Sequence, residues 1–351
     1  MYPKIKLGFK DEILLNNKMT FNMKPQSGDS LVFPNFDDIK VSTKTFTATT
    51  NLDIEISKLF EILPITPYVV EVKKRGRKKK GEKIDHNKDV THGSIVTVKH
   101  EGELRGVELK PKKSKQGKKK KWFRNSITVV IILDKPVNFK VCRNGTFQMT
   151  GCKTHEHAEL CVKYIWQYMY KHTDIYSFTR GNSLEVLFIP SMRNIDFSLG
   201  FLVDREKLNK YMCSQQEFRC LLETSFGYTG VNIKVPLMED ITKMEIQKIE
   251  HVKTENDIHI WKYTNTVYQE YLDLLSPKER ESKLSEDRHN TFLIFHSGKV
   301  IMSGLTADFM RDVYTYFLNI IRKAFDKIEE RLDPLEDQDL SLEEELALMM
   351  M

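Results

Sequence analysis

The chain carries the stretch Cys142-Arg143-Asn144-Gly145-Thr146-Phe147-Gln148-Met149-Thr150-Gly151, and a related stretch, His296-Ser297-Gly298-Lys299-Val300-Ile301-Met302-Ser303-Gly304, lies 153 residues later when Gly145 is aligned with Gly298. Both have a glycine in the turn, then a methionine, a hydroxyl residue and a closing glycine. Each predicts a hairpin and then a helix, the helices starting at Thr154 and Thr306. Two such strand-turn-strand-helix units predict an α+β fold made by internal duplication, with pseudo-two-fold symmetry.

The sequence around each turn sets the expected hairpins. Asn144-Gly145 predicts a tight type I′ turn, because both residues tolerate positive φ. Strong β patterns precede this turn over 126–133 and 137–143, and the second hairpin is expected over 290–303. A pseudo-two-fold protein suits a ligand that is itself nearly two-fold, and duplex DNA is such a ligand.

Composition indicates a globular, intracellular protein without a membrane segment. The chain has 351 residues, of which 40% are hydrophobic, so it can bury a sizeable core. The longest apolar run, 127–133, is too short to cross a bilayer, and the N-terminus lacks the profile of a signal peptide. Five cysteines without regular spacing fit reduced thiols.

Charge is distributed unevenly along the chain. The range 73–121 has 19 Lys/Arg against 6 Asp/Glu, whereas 329–351 has 9 acidic residues against 1 basic residue. Like-charge blocks are usually solvated, and many bind polyanions. The lysine runs 73–80 and 110–121 therefore predict a solvated loop, a nucleic-acid contact or a nuclear-import signal. A further alternative is an AT-hook, since Arg75-Gly76-Arg77 has its minor-groove core but not its usual proline.

Periodicity and composition divide the chain into parts. We expect an irregular arm over 1–40, a first repeat over 41–172 with a lysine-rich insertion over 73–121, a second repeat over 173–328 with a mostly helical insertion over 236–289, and an acidic tail over 329–351. In the first repeat, strands are predicted over 44–52, 68–72 and 94–98, with 106–109 as a possible partner. A short helix capped by Asp53 is expected after the first strand.

At the two repeated stretches the chain resembles the TATA-box-binding protein family. The segment 293–300 matches the second repeat of that family, which has a strand, a Ser-Gly-Lys turn, a strand and a long helix. Met192-Arg193-Asn194-Ile195 matches the segment with a base-contacting asparagine, and 227–231 looks like a loop with a wedge aromatic. The resemblance covers roughly 45–172 and 190–328. The long insertions are similar to those of divergent versions in large DNA viruses.

The resemblance implies a saddle, in which one curved antiparallel sheet has its helices on the convex back and the DNA minor groove against its concave side. It implies that Asn194 donates to the acceptors of A·T pairs and that Phe295 and Tyr228 wedge into a base step. Flexible TA steps lower the cost of that wedge. The implied DNA-binding residues are Asn194, Phe295, Tyr228, Leu293, Ile301, Ser303, Thr150, Thr45, Lys299, Lys234 and Lys153. The three lysines are the expected phosphate contacts.

The first repeat departs from the family pattern. Thr45 stands in place of the second asparagine, Cys142 in place of a wedge phenylalanine, and Ile65 roughly where the other wedge belongs. Gln148 replaces an apolar residue of the concave side. The resemblance therefore implies asymmetric bending, with the weaker kink at the first-repeat end.

The expected function is transcription initiation by a monomer that binds and bends A·T-rich promoter DNA for a TFIIB-like factor and an RNA polymerase. No phosphate-binding loop, nucleophile elbow or metal-hydrolase helix is found, so neither catalysis nor a cofactor is expected. The site of action is the nucleus or a viral factory or virion. One alternative is an interaction or packaging module that binds proteins with the saddle and nucleic acid non-specifically with the lysine-rich loop. Another is the substrate-binding domain of a nucleic-acid-processing enzyme.

Overall fold

The structure is a computed structural model that describes residues 28–70, 87, 89–109, 123–215, 217–223 and 230–331. Several features predicted from the sequence lie outside these residues. They are both lysine runs, the loop with Tyr228, the arm before residue 28 and the tail from residue 332.

One antiparallel sheet of thirteen strands dominates the described part of the chain. Its strands are β1 (Val41–Thr50), β3 (Ser94–His100), β4 (Glu103–Gly106), β5 (Ser126–Ile132), β6 (Pro136–Cys142), β7 (Thr146–Cys152), β9 (Leu184–Ser198), β10 (Arg219–Glu223), β11 (Gly230–Pro236), β12 (Glu245–Lys253), β13 (His259–Val267), β14 (His289–Phe295) and β15 (Lys299–Gly304). A separate pair joins β2 (Leu52–Ile54) to β8 (Tyr176–Phe178). The expected α+β class with a large antiparallel sheet is confirmed.

The strands β1 and β9 lie side by side in the middle of the sheet, where Lys44 pairs with Arg193. Outward from β9 follow β15, β14, β11 and β10, and outward from β1 follow β7, β6, β5, β3 and β4. The hairpin β12–β13 pairs with the first half of β9, from Leu184 to Phe188. The chain thus builds the two flanks of the sheet one after the other.

Six α-helices occur in the described residues. They are α1 (Ile56–Ile62), α2 (His155–Met169), α3 (Arg205–Cys213), α4 (Tyr268–Asp273), α5 (Pro277–Leu284) and α6 (Ala307–Ile328). Thr154 and Thr306 occupy the N-cap positions of α2 and α6, which confirms both predicted starts; of the two, Thr154 accepts a capping hydrogen bond, from the N–H of His157. Asp204 likewise caps α3 through the N–H groups of Glu206 and Lys207.

Four of these helices cover one face of the sheet in two groups. Helices α1 and α2 form one core with the flank that starts at β1, and this core includes Phe46, Phe139 and Phe147. Helices α3 and α6 form a second core with the other flank, around Ile195 and Phe292. Since strand residues alternate between faces, the neighbours of these buried residues lie on the opposite side of the sheet. We call that side the open face.

The two hairpin turns have the same geometry, which differs from the prediction. Gly145 and Gly298 have φ values of 70° and 73°, and their N–H groups donate to the carbonyls of Cys142 and Phe295, three positions earlier. Asn144 is not in the positive-φ region, so the type I′ prediction is wrong. A single left-handed glycine after the two turn residues is the three-residue hairpin loop, which also matches the right-handed twist of the strands.

The same backbone contacts surround both turns. The N–H of Ile54 donates to the carbonyl of Arg143 over 2.7 Å, and that of Val203 to the carbonyl of His296 over 2.9 Å. Leu199 donates to the carbonyl of Gly298 over 2.8 Å, as Thr50 does to that of Gly145 over 3.3 Å. Each turn is therefore held by the segment that follows the central strand of its own flank.

The segment 236–289 is not mostly helical, contrary to the prediction. Its longest elements are β12 and β13, and α4 and α5 are short. The reason is tertiary, because the first half of β9 has a free edge beyond β15 that β12 completes. The hairpin β12–β13 also contacts α2, where the indole N–H of Trp166 donates to Nδ1 of His251 over 3.0 Å.

Three boundaries in the first flank also differ from the predictions. Residues 68–70 form no strand, and 71–72 lie outside the described residues. Asp53 lies in β2, and the residue before α1 is Glu55, which makes no side-chain cap. The strands β3 and β4 fall inside the range expected to be a lysine-rich insertion, since β3 pairs with β5 in the main sheet.

Candidate nucleic-acid interface

The residues predicted to contact DNA lie mainly on the open face. The alternation that buries Ile195, Phe292 and Met302 under helices turns their strand neighbours to the other side. The predicted residues on this side are Asn194, Phe295, Leu293, Ile301, Ser303, Lys299, Lys234, Thr45 and Thr150. Tyr228 lies outside the described residues. Lys153 is exposed in the turn between β7 and α2 and is not part of the face.

Asn194 lies near the centre of the open face. It pairs with Ser303 of β15 on one side and Thr43 of β1 on the other. Its Oδ1 is buried and has no hydrogen-bond partner among the described residues. The carboxamide nitrogen is therefore the group that Asn194 offers to a ligand as a donor.

An apolar strip runs outward from Asn194 across the second flank. Leu293 pairs with Ile301, and both are only partly buried although helices cover the other side of the same strands. Phe295 ends β14 opposite Gly230 and is also partly exposed. A partly exposed leucine, isoleucine and phenylalanine on adjoining strands form a surface that excludes water from a partner.

Two lysines lie at the edge of this strip. Lys299 begins β15 opposite Ser198, and Lys234 is on β11 opposite Thr291 and Arg219. Both lysines are exposed. Arg219 is paired with Asp287 at 2.9 Å. The two exposed lysines can contact a polyanion beside the apolar strip.

The first flank has a more polar open face. Gln148 and Thr150 are exposed on β7, and Lys140 and Cys142 are partly exposed on β6. Burial raises the pKa of the Cys142 thiol, although the nearby charge of Lys140 opposes this. Thr45 is partly exposed on β1 opposite Met192. Hydroxyl, amide and amine groups thus replace the apolar strip of the second flank.

Two further polar residues belong to the open face and were missed from the sequence. Asn232 lies between Leu221 and Leu293, and its Oδ1 is also buried without a partner among the described residues. Asp196 is exposed opposite Ile301. The alternation in Val231-Asn232-Ile233-Lys234 and in Asn194-Ile195-Asp196-Phe197 was the signal that could have found them.

The segment 236–289 forms a wall on the open face beside the first half of β9. Leu187 and Ile189 pair with Thr49 and Thr47 and therefore point to the open face, yet they are 1% and 7% exposed. They are covered by Met244, Ile246, Tyr268, Tyr271 and Leu272. We call the five covering residues the wall. It bounds the open face on one side.

A cleft of about 360 Å³ lies between the wall and the adjoining part of the sheet. Thr47, Ser191 and Ser303 line it on the sheet side, and Lys283 and Arg288 line it on the side of the insertion. Arg288 is paired with Glu286 at 2.8 Å, so its charge is already balanced.

Ion pairs tie the wall to β9. Lys248 lies 2.9 Å from Glu250, 3.5 Å from Glu270 on α4 and 3.8 Å from Glu185 on β9. Burial alone would lower the pKa of Lys248, but the hydrogen bond with Glu250 and the charges of the other two carboxylates raise it. Lysine 248 therefore stays charged and links α4 to the central strand.

Comparison with known proteins finds similar chains, among them one viral protein and one solved structure. The chain is 25% identical over 310 residues to the uncharacterized protein 335L of Invertebrate iridescent virus 6, covering 85% of this chain and 88% of that one. It is 12% identical to Methanococcus jannaschii TBP, with a TM-score of 0.39, covering 83% of this chain and 99% of that structure. No protein-family model matches. Among the described residues, no helix is both long and apolar enough to span a bilayer.

Proposed function

We propose that this protein is a TATA-box-binding-protein-like factor that binds A·T-rich promoter DNA through the minor groove and bends it. The observation that carries the proposal is the open face of the second flank, where Asn194 and Asn232 adjoin the strip of Leu293, Ile301 and Phe295. Such a face offers hydrogen-bond donors, apolar contact and a wedge to the same ligand.

The two flanks are, in this proposal, diverged copies of one repeat. The pair Lys44–Arg193 is the centre of the pseudo-symmetry. Thr45 follows Lys44 as Asn194 follows Arg193, so Thr45 and Asn194 hold equivalent positions, paired with Met192 and Thr43. From this centre the strands follow in equivalent order on both sides, and both turns accept the same backbone hydrogen bonds. A pseudo-two-fold protein can present related contacts to both halves of a duplex.

The chemistry of the second flank favours A·T pairs. The minor groove of an A·T pair presents only acceptors, and a carboxamide nitrogen donates to them, whereas a G·C pair adds an amino group. Phe295 at the end of β14 would insert into a base step, at a cost of a few kcal/mol for unstacking. Lys299 and Lys234 would contact phosphates and make the affinity salt-dependent.

The proposed bending is asymmetric. Lys140, Cys142 and Gln148 occupy the positions on β6 and β7 that Leu293, Phe295 and Ile301 occupy on β14 and β15. A first flank without wedge chemistry would unstack its end of the site less. We expect 2-aminopurine fluorescence to rise at the base step under Phe295 and to stay low at the other end; equal increases at both ends would contradict the asymmetry.

In this role the protein is a non-catalytic initiation factor that presents bent DNA to a TFIIB-like factor and an RNA polymerase. Similarity to a protein of an iridescent virus supports a viral origin, with action in the nucleus or in a viral factory or virion. The resemblance to the TATA-box-binding protein family supports the partners.

A mobility-shift comparison tests the proposal. Equal-length duplexes with and without a TATA element are bound by wild type, Asn194→Ala, Phe295→Ala and the control Asn319→Ala, which removes an exposed carboxamide from α6. We expect Asn194→Ala to cost about 1–3 kcal/mol on the TATA duplex and Asn319→Ala to leave binding unchanged. Wild type that binds both duplexes equally would refute the proposal.

The packaging alternative is separated by neutralising both lysine runs. Replacing lysines by glutamine within 73–80 and 110–121 leaves β3 and β4 intact, whereas deleting 73–121 would remove two strands of the sheet. We expect discrimination between the duplexes to persist in this variant. Loss of all binding would favour the packaging module, in which the lysines bind nucleic acid non-specifically.

A further inference from the structure

Asp196 is a carboxylate on a face whose other central groups are hydroxyls, carboxamides and apolar side chains. It lies on β9 two residues from Asn194, opposite Ile301 of β15, and it is exposed. Within the described residues its carboxylate makes no ion pair or hydrogen bond. Lys299, the nearest predicted phosphate contact, is opposite Ser198 instead. Nothing in the described fold uses this carboxylate.

The equivalent position in the first flank has different chemistry. Asp196 pairs with Ile301 as Thr47 pairs with Gln148, and the Thr47 hydroxyl is 3.1 Å from that of Ser191. A hydroxyl both donates and accepts, whereas an ionised carboxylate only accepts. The second flank therefore combines the donor Asn194 with an obligatory acceptor.

The minor groove of A·T-rich DNA favours the donor of Asn194 and disfavours the carboxylate of Asp196. A·T and T·A pairs present only acceptors, so a carboxylate facing them is repelled and keeps no hydrogen bond. Guanine is the exception, because its exocyclic N2 amino group is a donor in this groove. A hydrogen bond from N2 to a carboxylate is charge-assisted and shorter than a neutral one.

We infer that Asp196 makes the protein select a guanine beside the A·T pairs read by Asn194, by accepting a hydrogen bond from the guanine N2 amino group. This inference rests on the proposed function, since it requires the minor groove to lie on the open face. Asp196 then acts as a specificity-determining residue, and the preferred site contains one G·C pair at a fixed position next to an A·T tract.

Inosine tests the inference, because it pairs with cytosine but lacks the 2-amino group. A set of A·T-rich duplexes carries a single G·C pair at each position in turn, and a matched set carries I·C instead. At one position we expect wild type to bind the G·C duplex roughly 5- to 150-fold more tightly than the I·C duplex, the discrimination of one good base contact. At the other A·T positions the I·C duplex should bind better.

Two variants separate base recognition from charge. Asp196→Thr, which copies the first flank, should abolish the preference for guanine over inosine and tighten binding to the all-A·T duplex. Asp312→Asn removes one exposed carboxylate from α6, so it makes the same change in net charge and should leave the preference unchanged.

Each remaining outcome overturns the inference in a recognisable way. Wild type that binds A·T-rich DNA selectively but does not distinguish G·C from I·C at any position overturns the role of Asp196 and leaves the proposed function standing. If Asp196→Thr tightens binding to every duplex by the same factor, the carboxylate only repels DNA. If no duplex is preferred at all, the proposed function fails and the inference fails with it.

Discussion

The hairpin turn at Gly298 gives the sharpest test of how the second flank is held. Gly298 has φ of 73° and lies between Phe295 and Lys299. A Cβ at this position would lie 2.1 Å from the carbonyl oxygen of Phe201, far inside contact distance. Gly298→Ala would push the turn away from the segment after β9 and strain the 2.8 Å hydrogen bond from Leu199 N–H to the Gly298 carbonyl.

Three terms set the magnitude of this change. The left-handed conformation costs an alanine about 1–2 kcal/mol, and the lower entropy of the unfolded chain returns about 0.4–1 kcal/mol. Loss of a buried hydrogen bond adds about 1–3 kcal/mol. We therefore expect Gly298→Ala to lower the free energy of unfolding by roughly 2–4 kcal/mol. Gly145→Ala should behave similarly, because its Cβ would lie 2.2 Å from Oγ1 of Thr50.

Gly151 supplies a matched control. Its φ is 75°, but a Cβ there would meet nothing within 4 Å, so Gly151→Ala carries the conformational term alone. We expect that variant to lose about 1 kcal/mol or less. Urea unfolding of the three variants and wild type, followed by circular dichroism, measures the difference. Equal losses for Gly298→Ala and Gly151→Ala would refute the steric reasoning.

Two further predictions concern the wall and its hairpin. Leu272→Ala should lower the free energy of unfolding by about 2–5 kcal/mol, because Leu272 is 0% exposed in the cluster that covers Leu187. The control Leu274→Ala, at 41% exposed, should change the free energy of unfolding by about 0.5 kcal/mol or less in the same urea titration. Equal losses for the two variants would show that α4 is not fixed against the sheet. Burial, and then the charge of His259, hold the pKa of His251 below 6.5. The unfolded chain therefore binds a proton that the folded chain does not, and the free energy of unfolding should fall as the pH drops below 6.5. His251→Gln should flatten this fall between about pH 7.5 and 5.5; an unchanged slope would contradict the role of His251.

Local patterns in the sequence were enough to predict the two hairpins and the long helices that follow them. The two glycine turns, the strands beside them and the helices that begin after Thr154 and Thr306 follow from turn chemistry, alternation and helical periodicity, which act within a few residues. The same alternation separates the buried residues of β14 and β15 from those of the open face. The helices cover the face of the sheet on which the apolar side chains lie. A strand places alternate side chains on opposite faces, so burying the apolar ones decides which face is covered.

Contacts between distant parts of the chain decided the rest. The hairpin β12–β13 forms because β9 has a free edge, and the sequence of 236–289 contains no sign of that edge. The covering of Leu187 and Ile189 by α4 depends on residues about 80 positions apart. Asn194 and Asp196 likewise reach Ser303 and Ile301 only through the pairing of β9 with β15. Periodicity fixes which way a side chain points from its own strand, whereas the partner beside it is set by long-range pairing, whose register depends on the whole sheet.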